Sequence, residues 1–192
     1  MGRISVIKGL ENSNQAHNNT ARHIEEIFGN HKSDLNEIID LSQKVKKGIQ
    51  VIDPFLQQNT SIVCPGCNKV CCIDQHSYYS CEDLIYIYSL GLEVQECESI
   101  DVTAPCRFLS SEGCRLERAV RPSGCNWYFC NSLYDSMEKS PGSAYYDFND
   151  SLQELTDLWM ELVNEFCCKF KKLTGNEMRI EDLMSSSKRR IT

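Results

Sequence analysis

The stretch CPGCNKVCC, Cys64 to Cys72, places four cysteines within nine residues, two of them adjacent. Its reading decides whether the middle of the chain is an ordinary packed domain or a set of loops organised by thiol chemistry. Cys64-x-x-Cys67 has the spacing of a metal knuckle, in which two intervening residues let the chain turn so that both sulfurs face one ion. Pro65 and Gly66 suit that tight turn. Cys71 and Cys72 are neighbours, and neighbouring side chains on extended backbone point to opposite faces. The adjacency therefore predicts either two separate metal centres or one ligand beside one small packed hydrophobe.

Downstream, Cys106, Cys114, Cys125 and Cys130 form a second block, and the chain has 12 cysteines in all. The 192 residues carry 20 Lys+Arg against 27 Asp+Glu, a net charge of -7, which argues against a nucleic-acid partner. Lys188, Arg189 and Arg190 read as a solvated basic end. No run approaches the ~18 apolar residues of a membrane span. The opening residues turn polar after a few positions, without the apolar region of a secretory leader. Gly2 lacks the Ser or Thr that myristoylation needs, since position 6 is Val6. These features predict a cytoplasmic protein, where stable disulfides are disfavoured and dense thiols point to metal or to redox chemistry.

Together, CPGCNKVCC and CRFLSSEGCRLERAVRPSGCNWYFC resemble the YkgJ-type cysteine-cluster family, described as zinc- or iron-chelating. Its pattern is a C-x-x-C-G-x-C-C block, then C-p-f-L with a following g-x-C, then R-P-x-x-C-R and a last Cys. Carried over, the resemblance implies metal ligands at Cys64, Cys67, Cys71, Cys72, Cys106, Cys114, Cys125 and Cys130, with Phe108, Leu109, Arg121 and Pro122 also matching. It covers about residues 60–132. Two departures stand out. The gap between Cys67 and Cys71 holds three residues instead of two, and Asn126 follows Cys125 where the family has arginine. Between Val102 and Cys130, Arg107, Arg115, Arg118 and Arg121 face only Glu112 and Glu117, so four positive and two negative charges leave +2. That balance favours thiolates, unless the arginines sit at the surface or pair with those glutamates. Cys81, Cys97, Cys167 and Cys168 fall outside the pattern and read as packing or surface thiols, with Cys97 the candidate for a ligand exchange.

The flanks read as helices. Residues 1–20 form a polar lead-in, and a short helix is expected around Ala21–Phe28, within an N-terminal arm over 21–58. Leu35, Ile38, Ile39, Val45 and Ile49 keep helical spacing over about 34–47, capped by Ser33 or Asp34 and ended by Gly48, with Asp53-Pro54-Phe55 as a break. The cysteine region is expected over 59–135. Within it, SCEDLIYIYSLGL predicts a helix capped by a Ser80/Asp83 box and ended by Gly91. Residues 92–104 read as a short strand or extended loop, and 136–150 as a turn-rich linker. Leu152, Leu155, Leu158, Trp159, Leu162, Val163, Phe166 and Phe170 draw one apolar stripe on a helix over 151–175, with a Ser151/Glu154 box and a Gly175 stop. That stripe reads as core, or as a face offered to a partner helix. A polar, basic tail over 176–192 follows. The fold class expected is mostly α, a single small domain whose flanking helices carry irregular cysteine-rich metal-binding loops.

Eight thiols suit two four-thiolate zinc ions, one four-iron cluster plus a second site, or two clusters. The Pro-containing knuckle leans to zinc. The absence of a His cluster and the local arginines lean to iron–sulfur, which is favoured here. The function expected is an accessory or electron-transfer component working with a protein partner, with a structural zinc module as the alternative. A further alternative comes from resemblance, since flagellin lysine-N-methylases carry a similar cysteine block. Against an enzyme stands the lack of a glycine-rich nucleotide fingerprint. No catalytic residue is indicated. A Cys–His nucleophile would have to draw on His17, His23, His31 or His76, all upstream of the second block.

Overall fold

A computed structural model describes residues 13–67, 71–77, 79–92 and 104–178. The expected strand or loop over 92–104 and the basic end lie almost wholly outside them, as does Cys97. The described chain is mostly helical and forms one small domain, in line with the sequence. Its helices are α1 (Ser13–Asn30), α2 (Asn36–Val63), α3 (Cys81–Ser89), α4 (Gly124–Trp127), α5 (Asn131–Glu138) and α6 (Ala144–Thr174). A two-stranded hairpin, β1 (Leu109–Ser110) with β2 (Gly113–Cys114), pairs Leu109 with Cys114.

The spine of the domain is α2 against α6. Ile38, Leu41, Val45, Ile49, Ile52 and Leu56 recur every three or four residues and are all buried, as the helical period requires. Their counterparts on α6 are Leu155, Trp159, Leu162, Val163, Phe166 and Phe170, also buried. The stripe is therefore core, and Trp159 and Phe166 are turned inward. The two helices run antiparallel: Lys169 Nζ meets Glu37 Oε2 at 2.9 Å near one end, and Phe55 stacks on Phe148 at 4.7 Å near the other.

Gly48 does not end α2. It lies inside the helix, where a Cβ would sit 3.0 Å from Leu155 Cδ1, so glycine sets the close approach of the two backbones. Nor does Pro54 break the helix. Its missing N–H and its ring are unfavourable inside a helix by about 3 kcal/mol. Burial of Ile52 and Leu56 and the Phe55–Phe148 stack on either side offset that cost. The N-terminal cap at Ser33 or Asp34 is also displaced: these residues sit in a short 3-10 turn, Lys32–Leu35, and α2 starts at Asn36 with no side-chain cap. Likewise α1 reaches back to Ser13, and α6 begins at Ala144, before the expected Ser151. Ser151 therefore lies within α6, its Oγ donating to Asp147 O, and makes no capping box. Gly175 stops the helix with φ 72°, as expected of a left-handed C-terminal residue.

Helix α3 is buried on nearly every side, from Cys81 to Ile87, Glu82 and Asp83 included. It packs against α1, α2 and α6. Its capping box forms as predicted, with Asp83 N–H donating to Ser80 Oγ at 3.2 Å and Ser80 N–H donating to Asp83 Oδ2 at 2.7 Å. Phe28 of α1 lies between Phe166 (5.4 Å) and Tyr88 (6.2 Å). Trp159 meets Tyr86 at 5.3 Å and the edge of Trp127 at 5.0 Å. Among the described residues, no helix is long and apolar enough to cross a membrane.

Gly48→Val forces a branched side chain into Leu155 and is expected to lower stability by about 1–3 kcal/mol. Urea unfolding reads this as a lower midpoint at unchanged slope. Gly29→Val is the control, since nothing lies within 4 Å of a Cβ there; equal losses from the two variants would rule out a close-approach role.

Candidate metal centre

The first thiols stand where α2 runs out. Cys64 occupies the C-terminal cap of α2, its N–H donating to Thr60 O. The backbone then tightens into a 3-10 turn, Cys64–Gly66, and Cys67 N–H returns to Cys64 O at 3.2 Å. This is the turn that the Cys64-Pro65-Gly66-Cys67 spacing calls for.

Backbone hydrogen bonds then bring the two cysteine blocks together. Cys106 N–H donates to Cys72 O at 2.9 Å, Ile73 bridges Pro105, and Asp74 N–H donates to Ala104 O at 2.9 Å. Leu109 N–H bonds Cys106 O at 2.8 Å and starts the hairpin that carries Cys114. Its turn needs Gly113, which has φ 108°. Cys125 rides on α4, and Cys130 stands at the N-terminal cap of α5. Ser136 Oγ, in the last turn of α5, donates to Asn59 Oδ1 of α2 at 2.8 Å and holds α5 against α2.

Buried polar groups anchor these loops to the helices. The second oxygen of Asp83 accepts from Ser123 N–H at 2.9 Å, so one carboxylate both caps α3 and holds the Arg121-Pro122-Ser123 loop. Tyr79 and Tyr86 donate their hydroxyls to Val120 O (2.6 Å) and Ala119 O (2.9 Å). Buried Arg118 pairs with Asp53 of α2 and donates to Cys125 O at 3.4 Å. Arg107 grips Asp74 with two hydrogen bonds, 2.8 and 2.7 Å, and this pairing holds the Asp74 carboxyl below the usual carboxylate range. Arg107 and Arg118 thus turn to Asp74 and Asp53, and neither pairing is with Glu112 or Glu117. Asn126, placed where the resemblance has arginine, is fully buried, and its side-chain amide has no hydrogen-bond partner among the described residues.

No disulfide joins the described cysteines. Cys71 is lowered to about 6, first by a hydrogen bond from the Cys72 thiol and against the opposing effect of burial; its own amide, His76 and Cys130 assist. Cys72 is pushed far up, first because its proton is held on Cys71, then by burial and by the charges of Cys71, Cys125 and Cys64. The proton of this pair is therefore lost more readily at Cys71 than at Cys72. This corrects the opposite-face expectation. A tight turn, with Ile73 N–H on Cys71 O at 3.0 Å, bends the chain at Cys72 and brings the two thiols into contact. Cys125 has an exposed residue surface, yet the protein packed around its thiol, followed by Cys114, pushes it up to about 12, while Arg121 pulls the other way. Burial first, then neighbouring sulfur charge, raises Cys64, which feels Cys71, Cys130 and Cys67. Burial also raises Cys106, which feels Cys114 and Asp74.

All eight cysteines singled out in the sequence thus belong to one region of the surface. Among the described residues, however, no group of three or more His, Cys, Asp or Glu side chains is arranged to hold a metal ion. The donor set fits a thiophilic metal in chemistry, and the sulfurs would have to draw closer to embrace one. Of the other cysteines, Cys81 is buried at the start of α3. On α6, Cys168 is exposed and Cys167 half-buried, its thiol pushed up to about 11 by burial and then by Cys168.

His76 has a larger part than its isolation in the sequence implied. Its Nδ1 lies 3.0 Å from Cys71 O, and its ring is 6.0 Å from that of Tyr128, two positions before Cys130. The signal was its place five residues after Cys71. Asp74 and the second bond of Asp83 had no sequence signal, because their partners lie 33 and 40 positions away.

In the reduced protein near about pH 7, iodoacetamide is expected to label Cys71 ahead of Cys72 and Cys125, because only thiolate reacts. The Cys71 rate should rise with pH through a midpoint near about 6. Cys72→Ala removes the bond that most favours the thiolate, and should shift that midpoint upward. Peptide mapping by mass spectrometry checks this, and equal labelling of Cys71 and Cys72 would contradict the shared proton.

Comparison with known families, with curated proteins and with solved structures gives no match to the chain.

Proposed function

We propose that the protein binds metal through the eight cysteines of its two loops, with an iron–sulfur cluster favoured over zinc. We further propose that it serves in the cytoplasm as an accessory or electron-transfer component beside a protein partner. The observation that carries this reading is the gathering of eight thiols, with no disulfide among those described, onto loops that buried polar groups tie to a helical core. The hydrogen bond from Cys72 lowers the Cys71 thiol and so favours thiolate, the form that ligates metal. Burial raises the Cys64 and Cys125 thiols, and Arg118 and Arg121 respectively oppose that rise, so positive charge lies within reach of both loops. A bound cluster would supply one-electron chemistry. The residues of this chain would hold it: Cys64 from the end of α2, Cys114 from the hairpin, Cys130 from the start of α5, and the rest from the turns between.

Zinc remains the second reading, supported by the closed knuckle turn in which Cys67 N–H bonds Cys64 O. Each ligand deprotonated on binding releases a proton, so affinity for either metal falls as pH drops.

Protein purified without oxygen is expected to be brown, with broad absorbance near ~400 nm and matching iron and sulfide. Colourless protein with stoichiometric zinc would select the second reading. Neither metal, under both conditions, would overturn the proposal. Chelation is expected to open the cysteine loops at 64–77 and 104–130 to protease while far-UV circular dichroism changes little, because α1, α2 and α6 carry most of the helix.

A further inference from the structure

The eight thiols are not evenly spread, and the backbone divides them. Cys64 caps the end of α2, and Cys130 caps the start of α5. The Ser136–Asn59 hydrogen bond, from the last turn of α5, holds α5 against α2 near the end that Cys64 caps. Cys67 is tied to Cys64 by the knuckle turn. Cys71 reaches the same junction from the other side: His76 holds its carbonyl oxygen, and the His76 ring meets Tyr128, just before Cys130.

The other four are tied to a different framework. Cys72 O accepts from Cys106 N–H, the turn after Cys106 leads into the hairpin, and Leu109 pairs with Cys114. Cys125 is placed opposite by the loop that Asp83 and Tyr79 anchor. The Arg107–Asp74 pair locks Ile73–Asp74 to the strand-like segment at Pro105–Arg107. The two groups meet at the Cys71–Cys72 peptide.

We propose that the chain builds two metal centres, one from Cys64, Cys67, Cys71 and Cys130 at the α2–α5 junction, the other from Cys72, Cys106, Cys114 and Cys125 around the hairpin. The proposal rests on the metal-binding reading above and adds the division of the ligands. Each centre receives four thiolates, the number a tetrahedral ion or a four-iron cluster takes. The peptide between Cys71 and Cys72 is the seam.

The test loads the full reduced chain with cobalt(II) without oxygen. The wild type is expected to take two ions per chain with sulfur-to-metal absorbance. Cys64→Ser with Cys130→Ser, and separately Cys106→Ser with Cys114→Ser, should each keep about half of that uptake. Loss of all cobalt from either folded double variant would overturn the division. Wild type that binds no cobalt would instead sink the metal reading itself. A second measurement needs no variant. Wild type given one equivalent of cobalt is alkylated and mapped, and the protected cysteines should fall into one or other set of four. Protection that mixes members of both sets within single molecules would equally overturn the proposal.

Discussion

The antiparallel packing of α2 on α6 is the constraint on which the rest depends. It is set by apolar side chains at helical spacing, and its closest point is Gly48 under Leu155. That contact fixes where α2 ends, and therefore where Cys64 stands. It also fixes α5, which leans on α2 through Ser136 and Asn59 and brings Cys130 to the same end of the bundle. The cysteine loops contribute little apolar core of their own. Their positions are inherited from helices that would pack in the same way whatever the thiols held.

What joins loops to helices is a small number of buried polar contacts. Asp83 ties helix and loop directly, since one carboxylate accepts from Ser80 N–H and from Ser123 N–H. Arg118 with Asp53 and Arg107 with Asp74 add charge-assisted bonds, one to the long helix and one across the paired loop segments. A buried carboxylate or guanidinium that loses its partner is costly, so these contacts confine the loops to few arrangements. Such confinement is what a multi-thiol site needs, because each sulfur brought from a separate loop otherwise costs conformational entropy on binding.

Within that frame, the adjacent Cys71 and Cys72 are unlike in charge although alike in sequence. The turn at Cys72 lets one thiol donate to the other, so the two cannot lose their protons independently.

The sequence by itself determined the helical class, the apolar faces of α2 and α6, the capping box of α3 and the Gly175 stop. Each of these rests on spacing within a few residues, which is the range over which a periodic pattern or a cap acts. Tertiary structure decided the rest. Gly48 and Pro54 read as breaks locally, but packing against α6 carries the helix through both, because buried contacts outweigh propensity. Ser151 reads as a cap, yet α6 begins earlier. The partners of Arg107 and Arg118, the second bond of Asp83 and the contact between Cys71 and Cys72 depend on which distant segments meet, or on how the backbone bends at one residue. No local pattern encodes those meetings, since they follow from the folding of the whole chain around one core.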